Sequence, residues 1–134
     1  MTPFHLKIVT PDGLIFDGQA EELIVRTSGG DVAILARHIN YVAPLGMGRA
    51  VVIADGMRRN AACIGGMVSV VNGEVTLVPT TFEWSDQIDL ERAERAYQKA
   101  EKILNDQNAS ATDLRLAEAK LRRALVRKSV GSYK

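Results

Sequence analysis

The hydrophobic period of this chain changes once, and the change divides it. Up to about Trp84, apolar residues recur at every second position or in short runs broken by Gly, Pro, Asn and Asp; from Asp89 onward they recur every three or four. A period of two buries one face of a strand and a period of 3.6 buries one stripe of a helix, so neither element can take the other's pattern. An all-β domain over residues 1–86 and a helical segment over residues 87–134 are therefore predicted.

The strand signals are local. Phe4, Leu6 and Ile8 alternate with His5, Lys7 and Val9, and Pro11-Asp12-Gly13 then supplies a turn. Residues 14–16 and 23–27 read as further strands, the second stopped by Ser28-Gly29-Gly30. Asp55-Gly56 lies between apolar runs at 51–53 and 59–64, and Asn72-Gly73 between runs at 68–71 and 75–78. Both dipeptides accept the positive φ of a type I′ hairpin turn. Gly65-Gly66 predicts a bulge or a close backbone approach, and the strand pattern is expected to stop at Pro79. Many short strands at this spacing make a sandwich or barrel.

In the second segment Leu90, Ala93, Tyr97, Ala100 and Leu104 share one helical face, with Glu91, Arg95, Lys99 and Lys102 off it. Asp89 is placed to cap this helix, which runs to about residue 105. After a polar break, Leu114, Ala117, Leu121 and Ala124, with Leu125 beside the last, make a second stripe opened by Ser110 or Thr112. A short loop forces the two helices antiparallel, and alanine seams let them approach closely while burying little area. Residues 129–134 are expected to fray.

Composition bounds the function. A 46% hydrophobic and 25% charged chain is globular in balance, and its longest apolar stretch, residues 61–71, is interrupted by Gly65, Gly66 and Ser69. That is well short of the roughly 20 residues that span a bilayer, and no secretory signal pattern opens the chain. Cys63, the one cysteine, cannot form an internal disulfide and reads as an inert buried thiol. Together with His5 and His38 it gives no zinc-ligand spacing, so no metal site is expected. No nucleophile elbow or phosphate-cradling loop is present. Gly46-Met47-Gly48 imitates a dinucleotide fingerprint, but Val51 stands at the third glycine and a strand follows where a helix is needed. A small hydrolase on a β scaffold therefore lacks a convergent nucleophile and base.

Charge is unevenly shared. Residues 1–88 hold 6 Lys/Arg and 9 Asp/Glu, residues 89–134 hold 11 and 7. The excess gathers in the last helix at Arg115, Lys120, Arg122, Arg123, Arg127 and Lys128, with Arg123 and Arg127 one turn apart. Such a face can be a solvated surface, a phosphate site or a dock for an acidic protein. Nucleic acid is disfavoured by an aromatic share of 5% and an acidic remainder.

Specific residues add to this pattern. The run from Phe4 through Leu6, Ile8 and Thr10-Pro11-Asp12-Gly13, the block at 30–38 (Gly-Asp-Val-Ala-Ile-Leu-Ala-Arg-His), Ala43-Pro44-Leu45, Gly65-Gly66-Met67-Val68, Ile88-Asp89-Leu90-Glu91-Arg92-Ala93 and Arg122-Arg123-Ala124-Leu125 follow one another in an order and spacing that resembles the epsilon subunit family of F-type ATP synthases. The resemblance covers essentially the whole chain. It implies a ten-stranded β-sandwich and a C-terminal antiparallel two-helix hairpin. It further implies a non-catalytic rotor-stalk subunit, in which the sandwich joins the gamma subunit to the c ring and the hairpin, docked or extended toward the alpha and beta subunits, restrains ATP hydrolysis. Catalytic sites would lie on beta subunits, and the chain would be a peripheral protein on the cytoplasmic face of the bacterial plasma membrane, attached through the complex only.

Carried over residue by residue, Asp31 and His38 are implied as c-ring contacts, in a loop where Ala36 and Asn40 replace prolines usual in the family and so imply less rigidity. An ATP site is implied at Glu83, Ile88, Asp89, Arg92, Ala93, Arg123 and Arg127. Leu116 stands where ATP binders have an arginine, and Lys99 replaces another. No cofactor is required, with Mg-ATP as the regulatory ligand of that site. The rival reading is a free-standing nucleotide-sensing module without a synthase.

Overall fold

The computed structural model of the chain describes residues 2–133. The chain divides into two compact units, Met1–Trp84 and Ser85–Lys134. Unit one holds strands β1 (Phe4–Thr10), β2 (Gly13–Ala20), β3 (Glu22–Thr27), β4 (Gly30–Ile34), β5 (Tyr41–Pro44), β6 (Met47–Ala54), β7 (Met57–Val71) and β8 (Glu74–Trp84). Unit two holds a 3₁₀ turn (Ser85–Gln87) and helices α1 (Leu90–Leu104) and α2 (Ala111–Gly131).

Strand order is β2-β1-β8-β7-β6-β3-β4, with β5 paired to the second half of β7. The Thr27 to Leu45 bridge and the Ser28 N–H donating to the Pro44 carbonyl (3.0 Å) tie β3 and β4 back to β5, so the sheet folds over itself. Between the layers lies one core, to which β1 gives Phe4, Leu6 and Ile8, β3 Leu23 and Val25, β7 Val68 and Val70, and β8 Val75 and Leu77. The alternation read in β1 is thus the alternation of its burial. Phe82 and Trp84 close one end edge to face at 4.9 Å, and the Arg59 guanidinium lies 3.7 Å over the Trp84 ring. Asp55 (φ 54°) and Asn72 (φ 50°) hold the positive φ that their turns predicted.

The described residues form eight strands, not ten, because β7 and β8 each run through both layers as one long bent strand. Gly65-Gly66 and Pro79, read separately, are strand breakers; here they face each other. The ladder passes from Ile64↔Thr81 to Gly66↔Pro79, and the proline sits where the pairing is already irregular, so its missing N–H costs little. Gly66 has φ 99°, and a Cβ there would lie 2.0 Å from the Val78 carbonyl oxygen. Only glycine fits.

In unit two the Asp89 carboxylate accepts from the Arg92 N–H (3.0 Å) and the Ser110 hydroxyl accepts from the Asp113 N–H (3.0 Å), capping the two helices. Ala93, Ala100, Ala117 and Ala124 are buried. The frayed end expected at 129–134 is instead helical through Gly131: Val130 is buried, and Gly131 leaves room for Leu90 and Ile88 from the start of unit two.

Candidate functional site

The two flanks of the hairpin differ in chemistry, because each alanine seam has a distinct set of residues on either side. On one flank Lys99 of α1 and Lys120, Arg123 and Arg127 of α2 line a cleft of about 230 Å³ floored by Ala96, Ala100 and Ile103. Lys120, Arg123 and Arg127 follow at i, i+3 and i+7 and so share one face of α2. No Asp or Glu is among the described lining residues. Four cations around a small apolar floor suit an anion with several oxygens, since guanidinium groups grip phosphate in forked pairs and ammonium groups add point charge.

On the other flank Lys128 of α2 reaches α1, its Nζ 2.5 Å from Glu94 Oε2 and 4.2 Å from the centre of the Tyr97 ring. Lys128 holds the Glu94 carboxyl below the usual carboxylate range, and a hydrogen bond to Glu101 raises the Tyr97 phenol. The Gln98 amide also donates to Glu94 (3.1 Å). Attraction therefore joins the helices on this flank, and cations of both helices line the other.

The residues named from sequence separate. Arg123 and Arg127 line the cleft. Asp89 is the cap of α1, Arg92 is exposed, Ile88 is half-buried near Gly131 and Ala93 lies in the buried seam; none lines the cleft. Glu83 belongs to β8 in unit one, paired in register with Ala62. Lys120, named from sequence in the basic cluster of the last helix and not in the ATP site, also lines the cleft. Leu116 is exposed on α2.

Asp31 is engaged within unit one. The Arg26 Nε donates to its Oδ1 (2.5 Å) and the Arg26 Nη2 to its Oδ2 (3.4 Å) across the β3–β4 register, and this pairing lowers the Asp31 pKa and raises that of Arg26. His38 Nδ1 lies 2.8 Å from the Ile39 carbonyl oxygen, to which it donates, and the ring meets Tyr41 at 5.8 Å. The loop is tied by hydrogen bonds in place of prolines: the His38 N–H donates to the Leu35 carbonyl (3.2 Å), and Asn40 Oδ1 accepts from the Asn72 N–H (2.8 Å). Leu35, Ile39 and Val42 are exposed beside it. Asp31 and His38 are not in hydrogen-bond contact with each other.

Among the described residues no His, Cys, Asp and Glu group could hold a metal, and no helix is long and apolar enough to cross a membrane. Burial pushes the Cys63 thiol up to about 12, which makes it a poor nucleophile. A β-sandwich followed by a helical hairpin with a cation-lined cleft has the chemistry of a binding protein.

Comparison with known proteins gives the family. Residues 3–85 match the ATP synthase delta/epsilon chain β-sandwich domain and residues 86–130 the ATP synthase delta/epsilon chain long alpha-helix domain. The ATP synthase epsilon chain of Ruminococcus albus is 42% identical over 100% of both chains, and that of Bacillus pumilus 40% identical over 97% of this chain and 98% of its own. A chain in the Euglena gracilis mitochondrial ATP synthase structure shares the fold at a TM-score of 0.85 and 20% identity, covering 96% of this chain and 81% of that one. The chain belongs to the delta/epsilon family of ATP synthases. Its curated bacterial relatives of this length are ATP synthase epsilon chains.

Proposed function

We propose that the sandwich of this subunit joins gamma to the c ring while the hairpin acts as a movable brake on ATP hydrolysis, extending toward the alpha and beta subunits. The observation that carries this reading is the hairpin itself: a separate unit, held by an alanine seam and one flank of attraction, with four cations lining the other. Alanine buries little apolar surface, and at about 25 cal/mol per Å² such a seam opens at modest cost. A basic α2 released from α1 would then be drawn to an acidic surface. Asp31 at the start of β4 and the loop after that strand with His38, where Leu35 and Ile39 are exposed, are the part of unit one we assign to the c ring. A basic residue there would compete with Arg26 for Asp31. The complex would hold the chain at the cytoplasmic face of the membrane.

Mg-ATP is the regulatory ligand we assign to the hairpin. Its phosphates suit Lys99, Lys120, Arg123 and Arg127, and it would favour the closed hairpin by neutralising that flank. Isothermal calorimetry with Mg-ATP should show binding by the full chain and at least a tenfold loss in an Arg123→Ala/Arg127→Ala variant, since one charge-assisted hydrogen bond contributes about 1.5–3 kcal/mol. Equal binding by the variant would remove the cleft as the site. Capture of gamma by the immobilised chain tests the stalk reading separately; a chain that binds ATP and never gamma would favour a free-standing sensor.

A further inference from the structure

His5 stands on the outward face of β1, between β2 on one side and β8 on the other. Its Nε2 lies 2.5 Å from Asp17 Oδ1 of β2, and its Nδ1 lies 2.5 Å from Glu74 Oε2 at the start of β8. An ionised carboxylate only accepts hydrogen bonds, so both contacts exist together only when both ring nitrogens carry hydrogen. A neutral imidazole donates from one nitrogen and turns the lone pair of the other toward an anion. The geometry is therefore that of an imidazolium shared by two carboxylates.

The place of this triad gives it a consequence. β2 ends the strand order, and β1–β8 is a parallel pairing of three register pairs, Leu6↔Val75, Lys7↔Thr76 and Ile8↔Leu77. One side chain thus bridges three strands where the sheet has an edge and a short joint. The groups facing it are Asp17 and Gln19 from β2, Glu74 and Thr76 from β8, and Lys7 on β1 itself, the register partner of both Asp17 and Thr76. Among these the ring is the one group whose ordinary titration falls in the neutral range.

We propose that His5 is a proton-held staple: as imidazolium it clamps β2 and the start of β8 to β1, and on losing its proton it releases one of the two carboxylates and loosens this edge of the sandwich. The direction is fixed by linkage. Hydrogen bonds donated by the ring to Asp17 and then to Glu74 raise its pKa above the ordinary value. The stabilisation is therefore fully present below the unfolded value and is lost as pH rises through the folded one.

Nuclear magnetic resonance of the full chain tests this. The His5 ring should titrate at higher pH in the folded chain than in urea, and its midpoint should fall in Asp17→Asn and in Glu74→Gln. Amide protection factors in β2, which divide out the intrinsic pH dependence of exchange, should drop severalfold between about pH 6 and about pH 8.5, either side of the histidine range. The drop should vanish in His5→Gln. A folded midpoint equal to that in urea, or the same drop in His5→Gln, overturns the proposal. Should His5→Gln fail to fold, the exposed Glu74→Gln variant decides by whether the His5 midpoint moves.

Discussion

Lys128 is gripped twice, by the Glu94 carboxylate and by the face of Tyr97, and both grips cross from α2 to α1. Replacing it with Met keeps most of its stem and removes the charge. The hairpin of Lys128→Met should melt earlier by far-ultraviolet circular dichroism, with unit one unchanged. The Glu94 carboxyl is depressed by Lys128, so its contribution is present above the ordinary carboxylate range and is lost as pH falls through the lower, folded value. Acid should therefore weaken the wild-type hairpin more than that of Lys128→Met. Lys120 belongs to the same scale. Its role as a cleft residue depends on which face of α2 turns to α1, and spacing along one helix does not fix that.

At the scale of elements, the long strands depend on one crossing. Gly66→Ala would place a Cβ 2.0 Å from the Val78 carbonyl oxygen at φ 99°, where strain alone costs about 1–3 kcal/mol and the overlap adds more. Urea unfolding should show that loss, whereas Gly73→Ala, whose Cβ meets nothing within 4 Å, should lose less. Leu77→Ala removes a fully buried side chain in register with Ile8 and Val68 and should cost about 2–5 kcal/mol. These elements also mark where the sequence was legible. Turns at Asp55-Gly56 and Asn72-Gly73, the Asp89 cap and the β1 alternation are local chemistry, and each is found where its residues place it. Gly65-Gly66 and Pro79 are breakers when read singly and become one continuous crossing when opposed, so β7 and β8 each run on as one strand, and the described residues form eight strands where the resemblance implied ten. Likewise Asp31 gave no sign of Arg26, because a cross-strand register sets that pair.

For the whole molecule, the single change of hydrophobic period separates a sandwich with a continuous core from a hairpin with a thin alanine seam, and the proposed function assigns fixed coupling to the first and movement to the second. Arg123 and Arg127 were legible as a pair one turn apart, while Asp89 and Ala93 serve the helix start and the seam. The regulatory reading therefore rests on the cleft and the clasp. Its most direct test is the ATP hydrolysis rate of the synthase assembled with the full chain and with a chain ending at Ile88. The truncated chain should still join the complex through its sandwich, and hydrolysis should rise. An unchanged rate in a fully assembled complex would contradict the hairpin's role as a brake.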